Sequence, residues 1–240
     1  MKVLLNCDVG EGETAETTTA LLELADLANV ACGGHAGDEA TMRRVVREAL
    51  GFGVQTGAHP GWPDPENFGR SAVEISAAEL TQLLEEQVRT LQRVAASEGG
   101  RVGHVKLHGA LYHLCDERTD LAEACVDWME LELEGVPLIV GAGGLLHAVG
   151  EARGVPLLRE IFAERGYAAE TRLLPRGEAG ALIDDPLRVA GRIRDWQASG
   201  YLEVGGGRKW LVEAETVCVH ADSPQSVAVA RAVRASLGAA

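Results

Sequence analysis

Side chains that transfer protons or carry charge are concentrated in a few short segments of this chain. Most of them follow directly on short apolar runs, at the points where buried strands would end. Histidine, carboxylate, lysine and amide groups gathered in one place can supply a base, an acid and a cation to a reaction. The candidates are Asn6, Asp8, Asn29, His35, Asp38, His59, Arg70, Lys106, His108, Glu160, His220 and Asp222.

Three of these segments alternate polar and apolar residues in the way a strand does. Because successive side chains of a strand point to opposite faces, the polar side chains of each segment share one face. The three sets are His104, Lys106 and His108; Asn6 and Asp8; and His220 and Asp222.

Short β-rich runs alternate with amphipathic helices along the whole chain. Strands are predicted at 3–7, 27–32, 54–58, 102–107, 137–141, 157–162 and 216–220. This alternation indicates a parallel sheet with helices outside it. About seven units fit an irregular TIM-like (β/α) barrel in one domain, residues 1–240, with its site at the C-terminal strand ends. A doubly wound open sheet is the alternative, although G-x-G-x-x-G is absent after the first strand.

Three capping residues precede apolar stripes with helical spacing: Ser76, Asp185 and Ser223. The last two are followed by proline, which is common at the first helical position. Another helical stripe runs from Asp38, and we expect Asp38 to look into the barrel mouth together with His35.

Charge and cysteine content exclude several classes of partner. A net charge of −14 disfavours nucleic acid and anionic membranes, since both are polyanions. The five cysteines form no C-x-x-C pair, which predicts reduced thiols and a cytoplasmic protein. We assign Cys7, Cys32 and Cys218 to strand positions that face the helices, as small core residues.

The segment HVKLH (104–108) would form a metal-binding histidine pair only on a helix. On a strand, which the alternating Val and Leu indicate, the two imidazoles stand about 13 Å apart at about 3.3 Å per residue. Since no close ligand pair occurs within one strand or helix, we predict no metal ligands and a reaction that runs without metal. A set drawn from different strands, such as Asp8, His59 and His220, stays open.

Phosphate-binding motifs are weak in this sequence. GGGRKW (205–210) lacks the G-x-x-x-x-G-K-[ST] spacing and is typical of a hairpin turn. GAGG (141–144) ends a strand before a helix and could hold an anion on backbone N–H groups. The G-x-S-x-G elbow is absent. We therefore expect no ATP site in this chain.

Several segments, in the same order, resemble the LamB/YcsF family of 5-oxoprolinase subunits over nearly the whole chain. The matching blocks are LNCDVGEG (5–12), NVACGGHAGD (29–38), GAHPGWPD (57–64), FGR (68–70), HVKLHGALY (104–112), EIFAERGY (160–167), LLPR (173–176) and CVHAD (218–222). The family pattern has an aromatic residue where this chain has Gly34. It also differs at Ser71, Leu107, Glu164 and Ala221.

The resemblance implies an irregular (β/α) barrel that opens the 5-oxoproline lactam to glutamate with ATP and two partner subunits, which would bind the ATP. Such a reaction needs a cation near the oxyanion, a base for water and an acid for the leaving nitrogen. Lys106 is assigned as the cation. The base is Asp8 or His108, and the acid is Glu160 or His220. Replacing Lys106 or His108 should lower turnover and leave stability nearly unchanged, since both would point into a solvated mouth.

The remaining candidates are assigned to the substrate, with Arg70 holding its carboxylate. Two other functions stay open: a metal-dependent deacetylase or amidohydrolase on the same barrel, and a non-catalytic subunit that binds the substrate. Homo-oligomer formation is also open. The other assigned substrate-binding residues are Asn6, Asn29, His35, Asp38, His59 and Asp222.

Overall fold

Strands and helices alternate along the chain in the computed structural model, which describes residues 2–238. The strands are β1 (Leu4–Val9), β2 (Leu27–Ala31), β3 (Gln55–His59), β4 (Val105–Lys106), β5 (Leu138–Gly141), β6 (Leu157–Phe162), β7 (Tyr167–Ala169), β8 (Arg172–Leu173), β9 (Tyr201–Val204), β10 (Arg208–Leu211) and β11 (Thr216–His220). The helices are α1 (Ala15–Leu22), α2 (Glu39–Phe52), α3 (Ala77–Ser97), α4 (Gly109–Glu117), α5 (Thr119–Glu132), α6 (Leu145–Arg153), α7 (Pro186–Ser199) and α8 (Ser226–Leu237). Within the described residues, none of these helices has the length and apolar character needed to span a membrane.

Seven of the strands close a parallel barrel in the order β1, β11, β6, β5, β4, β3, β2. The predicted seven-stranded TIM-like barrel is therefore confirmed, and the open doubly wound sheet is wrong. Each predicted strand is present, but β4 keeps only Val105 and Lys106 of the predicted 102–107.

Residues 163–215 leave the barrel between β6 and β11, which pair directly with each other. This excursion contains α7 and two antiparallel hairpins, β7 with β8 and β9 with β10. Gly205–Gly207 joins β9 to β10, so the hairpin turn predicted for GGGRKW is confirmed.

Polar side chains fill the barrel interior, and the apolar positions between them pack into the core. Asp8 on β1 stands beside His220 on β11 and Asn29 on β2. Cys7, of opposite parity, belongs to the hydrophobic core. The assignment of Cys218 to the helix-facing side is wrong, because Cys218 has the parity of His220 and its Sγ lies 3.0 Å from Lys106 Nζ inside the barrel.

The predicted helix caps at Ser76 and Asp185 are confirmed, and Asp38 caps α2 as well. The side chains of Asp38, Ser76 and Asp185 accept the backbone N–H groups of Thr41, Glu79 and Leu187, respectively. The prediction for Ser223 is wrong by two residues: its side chain accepts the Gln225 N–H within a turn, and α8 begins only at Ser226.

Gly34 occupies a position where a side chain has no room. A Cβ there would clash with the Gly61 carbonyl oxygen and the amide of Gln87. That amide is itself engaged, since its Oε1 accepts the Gly61 N–H at 3.0 Å and its Nε2 donates to the Gly61 carbonyl at 2.8 Å. In this chain Gln87 therefore fills the space that an aromatic residue at position 34 would need, and it ties the loop after β3 to α3.

Gly34→Ala is expected to lower the free energy of unfolding by about 1–3 kcal/mol, because backbone must shift to admit the methyl group. Gly51→Ala is the matched control, since Gly51 lies in α2 with open space around its Cβ position. The control should gain about 0.5–1 kcal/mol from the better helix former. Urea unfolding of both variants measures the difference, and equal stability of the two would contradict the packing of Gln87 against this loop.

Candidate active site

A cleft of about 810 Å³ opens where the barrel strands end. Six of the candidates from the sequence line it: Asp8, His59, Arg70, Lys106, His108 and His220. Asn6, Asn29 and Glu160 lie fully buried beneath them. The structure thus brings most of the candidate set to one place, as the strand alternation indicated.

Lys106 lies at the floor of the cleft, inside a group of buried polar atoms. Its Nζ lies 2.9 Å from Asp8 Oδ1, 3.2 Å from Glu160 Oε2 and 3.3 Å from Asn6 Oδ1. Burial alone would lower its pKa, but the neighbouring carboxylates, Asp8 above all, raise the pKa well above its ordinary value. The charged form of Lys106 is therefore favoured in spite of its burial.

This burial corrects one expectation from the sequence. Lys106 is only 2% exposed and does not point into a solvated mouth. Removing its ammonium group would leave the buried carboxylates of Asp8 and Glu160 without their counter-charge, which is strongly destabilising. His108, 3% exposed, is buried as well.

Asp8 has one oxygen held from below and one turned towards two histidines. Oδ1 accepts from Asn29 Nδ2 at 2.7 Å and from Lys106. Oδ2 lies 3.4 Å from His59 Nε2 and 3.7 Å from His220 Nε2. Burial would raise the pKa of Asp8, but His59 and Lys106 outweigh it and hold the pKa well below its usual range. The carboxylate is therefore ionised, with one oxygen available at the cleft.

Glu11, which the sequence analysis missed, joins three histidines into a buried cluster. Its Oε1 lies 2.9 Å from His35 Nε2, 3.1 Å from His108 Nδ1 and 3.5 Å from His59 Nε2. The rings of His35 and His108 stack with centroids 3.6 Å apart. Glu11 stands in the family-like block LNCDVGEG, but it follows the end of β1, so strand alternation gave no reason to choose it.

The prediction of no metal ligands considered only pairs within one strand or helix, whereas the structure brings ligand-type side chains together from separate elements. His104 and His108 indeed do not converge, since His104 Nε2 contacts Asn29 Oδ1 at 2.8 Å. However, one donor atom from each of Glu11, His35, His59 and His108 lies within 4.8 Å of all the others. A second such set consists of Asp8, Cys218 and His220. Ligands from separate elements meet where no single strand supplies a pair.

Glu164, also missed, orients His220. Its Oε1 lies 2.5 Å from His220 Nδ1 and also accepts the backbone N–H of His220 at 3.0 Å. This fixes Nδ1 as the protonated nitrogen and directs Nε2 towards Asp8. In the sequence, Glu164 stood out only because the family pattern has Asp at this position, and nothing there indicated a contact with His220.

Arginines form the outer wall of the cleft, where the sequence analysis had expected Arg70 alone. Arg70 and Arg176 both pair with Asp222, at 2.6 and 3.2 Å. Arg165 donates to the carbonyl oxygens of Leu174 and Ala181 rather than to a carboxylate. Arg70, Arg165, Arg172 and Arg176 all line the cleft. Asp222 therefore holds two arginines in place instead of facing the cleft by itself.

Asp38 does not belong to this site. Its carboxylate accepts the Thr41 N–H at 2.7 Å at the start of α2, and the residue is exposed. The expectation that Asp38 looks into the barrel mouth is wrong, because the side chain is already used as the helix cap. His35, its presumed neighbour in the mouth, is instead buried beside Glu11.

A closed parallel barrel with a charged cleft at its C-terminal strand ends is the architecture of barrel enzymes. Residues 3–240 match the LamB/YcsF family, and the chain belongs to that family. A 5-oxoprolinase subunit from Rhodopseudomonas palustris (strain BisB18) is 40% identical over 240 residues, which cover 98% of this chain and 94% of that protein.

Solved structures agree on the fold. The lactam utilization protein from Thermus thermophilus superposes with a TM-score of 0.90 at 35% identity, over 99% of this chain and 96% of that one. A family 4 carbohydrate esterase from Streptomyces lividans, at 12% identity, has a TM-score of 0.50 over 98% of this chain and 86% of its own, and is similar in fold alone.

Asp116 gives the site a measurable pH dependence. It lines the cleft, and burial raises its pKa to about 6 although Leu146 N–H donates to it. An unfolded carboxyl group titrates near about 4. Between about pH 4 and about pH 6 the folded state binds one more proton, on Asp116, than the unfolded state does. The stability that protonated Asp116 contributes at low pH is therefore lost as pH rises to about 6.

Asp116→Asn is expected to raise the melting temperature at pH 8, by the equivalent of about 2–3 kcal/mol, because it removes a half-buried charge. The difference from the parent protein should shrink towards pH 4, where Asp116 is protonated. Thermal unfolding at several pH values measures it. A variant that is less stable at pH 8, or a difference that does not vary with pH, would contradict the assignment.

Proposed function

We propose that this chain is the lactam-opening subunit of an ATP-dependent 5-oxoprolinase, which converts 5-oxo-L-proline to L-glutamate. The names of the relatives that are 40% and 35% identical support this class of substrate. The structural observation that carries the proposal is the Asp8 carboxylate. Lys106 holds one of its oxygens, while the other faces His59 and His220 at the cleft.

Water and lactam react between Asp8 and His220 in this proposal. Asp8 Oδ2 removes a proton from water as the water oxygen bonds to the lactam carbonyl carbon. The C–N bond then breaks, and His220 Nε2 gives a proton to the ring nitrogen. Glu164 stabilises the imidazolium form of His220 through Nδ1. Lys106 acts by positioning and ionising Asp8, rather than by touching the oxyanion as the sequence suggested.

The lowered pKa of Asp8 has a chemical consequence. A carboxylate that holds its proton weakly is a weak base, so it activates water only weakly. An amide carbonyl is also a poor electrophile, and weakly activated water would attack it slowly. Activation of the carbonyl oxygen beforehand, for example by phosphorylation, removes this limitation, which is a physical reason for the reaction to depend on ATP. Cleavage of the C–N bond would then leave an acyl phosphate, and a second water would hydrolyse it to phosphate and the side-chain carboxylate of glutamate.

The arginine wall suits an anionic substrate. Arg70 and Arg176 are held by one carboxylate, Asp222, which leaves a net positive charge, and Arg165 adds another. Together they offer donors for the carboxylate of 5-oxoproline and for a phosphoryl group on an activated lactam. The wall thus provides more basic groups for the ligand than the sequence alone indicated.

ATP binding and carbonyl activation are assigned to two partner subunits. The glycines at 205–207 form a hairpin turn rather than a phosphate loop, and the net charge of −14 does not attract a polyanion. We place the reaction in the cytoplasm, since the five cysteines are free and buried, as is usual in a reducing compartment.

One observation favours a second candidate function. The cluster of Glu11 with three histidines would suit a metal-dependent amidohydrolase that works without nucleotide. Nucleotide-independent release of glutamate from 5-oxoproline, or of acetate from an acetylated amine, would single out that function.

Asp8→Asn is expected to lower kcat for glutamate release by about a hundredfold or more in the assembled enzyme, because the amide keeps the shape but is not a base. Asp38→Asn is the control: the sequence placed it in the site and the structure removes it. The control should keep kcat and KM. An Asp8→Asn enzyme with parental kcat would contradict the catalytic role and favour a subunit that only binds substrate.

The purified chain alone is expected neither to hydrolyse ATP in response to 5-oxoproline nor to release glutamate, because its sequence contains neither a P-loop nor a kinase glycine loop. Both activities should appear when the partner subunits are added. Coupled assays for ADP and glutamate, with and without the partners, make the comparison. ATP-dependent glutamate formation by this chain by itself would show that it carries its own nucleotide site.

A further inference from the structure

The cluster of Glu11, His35, His59 and His108, called here the Glu11 cluster, contains more hydrogen-bond acceptors than donors. His59 Nδ1 lies 2.8 Å from the Lys106 carbonyl oxygen, and His108 Nε2 lies 2.9 Å from the Phe68 carbonyl oxygen. A carbonyl oxygen can only accept, so both nitrogens carry hydrogen. In neutral rings this leaves His59 Nε2 and His108 Nδ1 as lone pairs.

Those two lone pairs face each other and a carboxylate. His59 Nε2 and His108 Nδ1 are 3.0 Å apart, and Glu11 Oε1 lies 3.5 and 3.1 Å from them. The second carboxylate oxygen, Glu11 Oε2, is buried without a hydrogen-bond partner among residues 2–238. Converging acceptors in a dry interior repel each other unless a positive centre lies between them.

The dimensions fit one small cation. Ligand atoms at about 2.0–2.1 Å from a tetrahedral ion are about 3.3 Å from each other. The three separations of 3.0, 3.1 and 3.5 Å lie around that value. The outward hydrogen bonds of His59 and His108 to carbonyl oxygens are also the arrangement by which proteins orient metal-binding imidazoles.

His35 has a different place in the cluster. Its ring is stacked on that of His108, with centroids 3.6 Å apart and planes within 2° of parallel. A nitrogen lone pair lies in the plane of its ring, so two parallel stacked rings do not aim at one ion. His35 Nε2, at 2.9 Å from Glu11 Oε1, instead holds the carboxylate in position.

We propose that Glu11, His59 and His108 bind one divalent ion of the zinc class, with His35 as the residue that positions Glu11. Two imidazoles and one carboxylate are donors that Zn²⁺ and its neighbours in the first transition row accept. Three protein ligands leave a coordination position, and His59 and His108 both line the cleft. A water or a substrate oxygen bound there would lie beside Asp8, the base of the proposed function.

The second potential set, Asp8 with Cys218 and His220, does not support such a proposal. Lys106 Nζ lies 2.9 Å from Asp8 Oδ1 and 3.0 Å from Cys218 Sγ, so a positive charge already stands among these donors. Burial also raises the pKa of the Cys218 thiol well above its ordinary value, which opposes the thiolate that a metal needs.

Metal binding is testable on the full chain alone, without nucleotide, partners or turnover. The purified protein is stripped with a chelator and titrated separately with Zn²⁺ and Co²⁺. Elemental analysis after gel filtration gives the stoichiometry, and the visible spectrum of bound Co²⁺ reports its ligands. We expect one ion per chain and a higher melting temperature with Zn²⁺, because the ion binds the folded state.

Glu11→Gln and His108→Gln should each weaken Zn²⁺ binding by about a hundredfold or more and abolish the thermal shift. His113→Gln is the matched control, a histidine that lines the same cleft outside the cluster, and it should bind like the parent. If both ligand variants fail to fold, His35→Gln replaces them, with an expected loss of about 10–100-fold in affinity and a changed Co²⁺ spectrum.

Failure of the parent chain to retain either ion would overturn the proposal, and would mean that a proton shared among the histidines relieves the cluster. Unchanged Zn²⁺ affinity in Glu11→Gln and His108→Gln would also overturn it. Where His35→Gln replaces those variants, unchanged Zn²⁺ affinity in His35→Gln would have the same meaning. Neither result bears on glutamate release with the partners, so failure of this proposal is distinct from failure of the proposed function.

Discussion

Inside the barrel, the ammonium group of Lys106 lies 2.9 Å from Asp8 and 3.2 Å from Glu160, and all three side chains are almost completely removed from solvent. Transfer of each charge from water into such an interior costs several kcal/mol, and mutual attraction offsets this only when hydrogen bonds satisfy the remaining polar atoms. Asn6 donates to Glu160 Oε2 and Asn29 donates to Asp8 Oδ1, while Glu160 Oε1 stays without a hydrogen-bond partner among residues 2–238. These contacts set the orientation of Asp8, because they hold Oδ1 inside the barrel and leave Oδ2 at the cleft.

The same group is unbalanced in charge, and the surrounding histidines respond to the imbalance. One lysine faces two carboxylates, and Glu11 adds a third only 3.5 Å from His59 Nε2. Burial would lower the pKa of His59, but Asp8 and Glu11 outweigh it and raise the pKa above its ordinary value. Excess negative charge on the floor of the cleft therefore favours a positive centre beside it. A proton on His59 would supply one, and so would the metal ion proposed for the Glu11 cluster.

Strand periodicity is why so much of the site could be predicted from the sequence. Parity along β1 and β11 identified Asn6, Asp8 and His220, and the seven strands followed from the alternation of elements. The alternation of faces predicts the direction of a side chain only within a strand. Glu11, Glu164 and Arg165 lie on segments beyond the strand ends, where the backbone direction depends on tertiary contacts. Asp38 failed for another reason, since a carboxylate before a helix serves equally as a cap or as a site residue, and only the fold decides between the two.

The floor and the wall of the cleft come from different parts of the chain. The proposed acid–base groups, Asp8 and His220, stand on barrel strands, whereas Arg165 and Arg176 stand on the excursion between β6 and β11. Position 34 differs from the family pattern, yet its space is filled by Gln87 from α3. Glu164, longer by one methylene than the family's Asp, still reaches both Nδ1 and the backbone N–H of His220. At both positions the difference from the family pattern falls on a supporting contact rather than on Asp8, Lys106 or His220. In this chain that contact is made, by Gln87 to Gly61 and by Glu164 to His220.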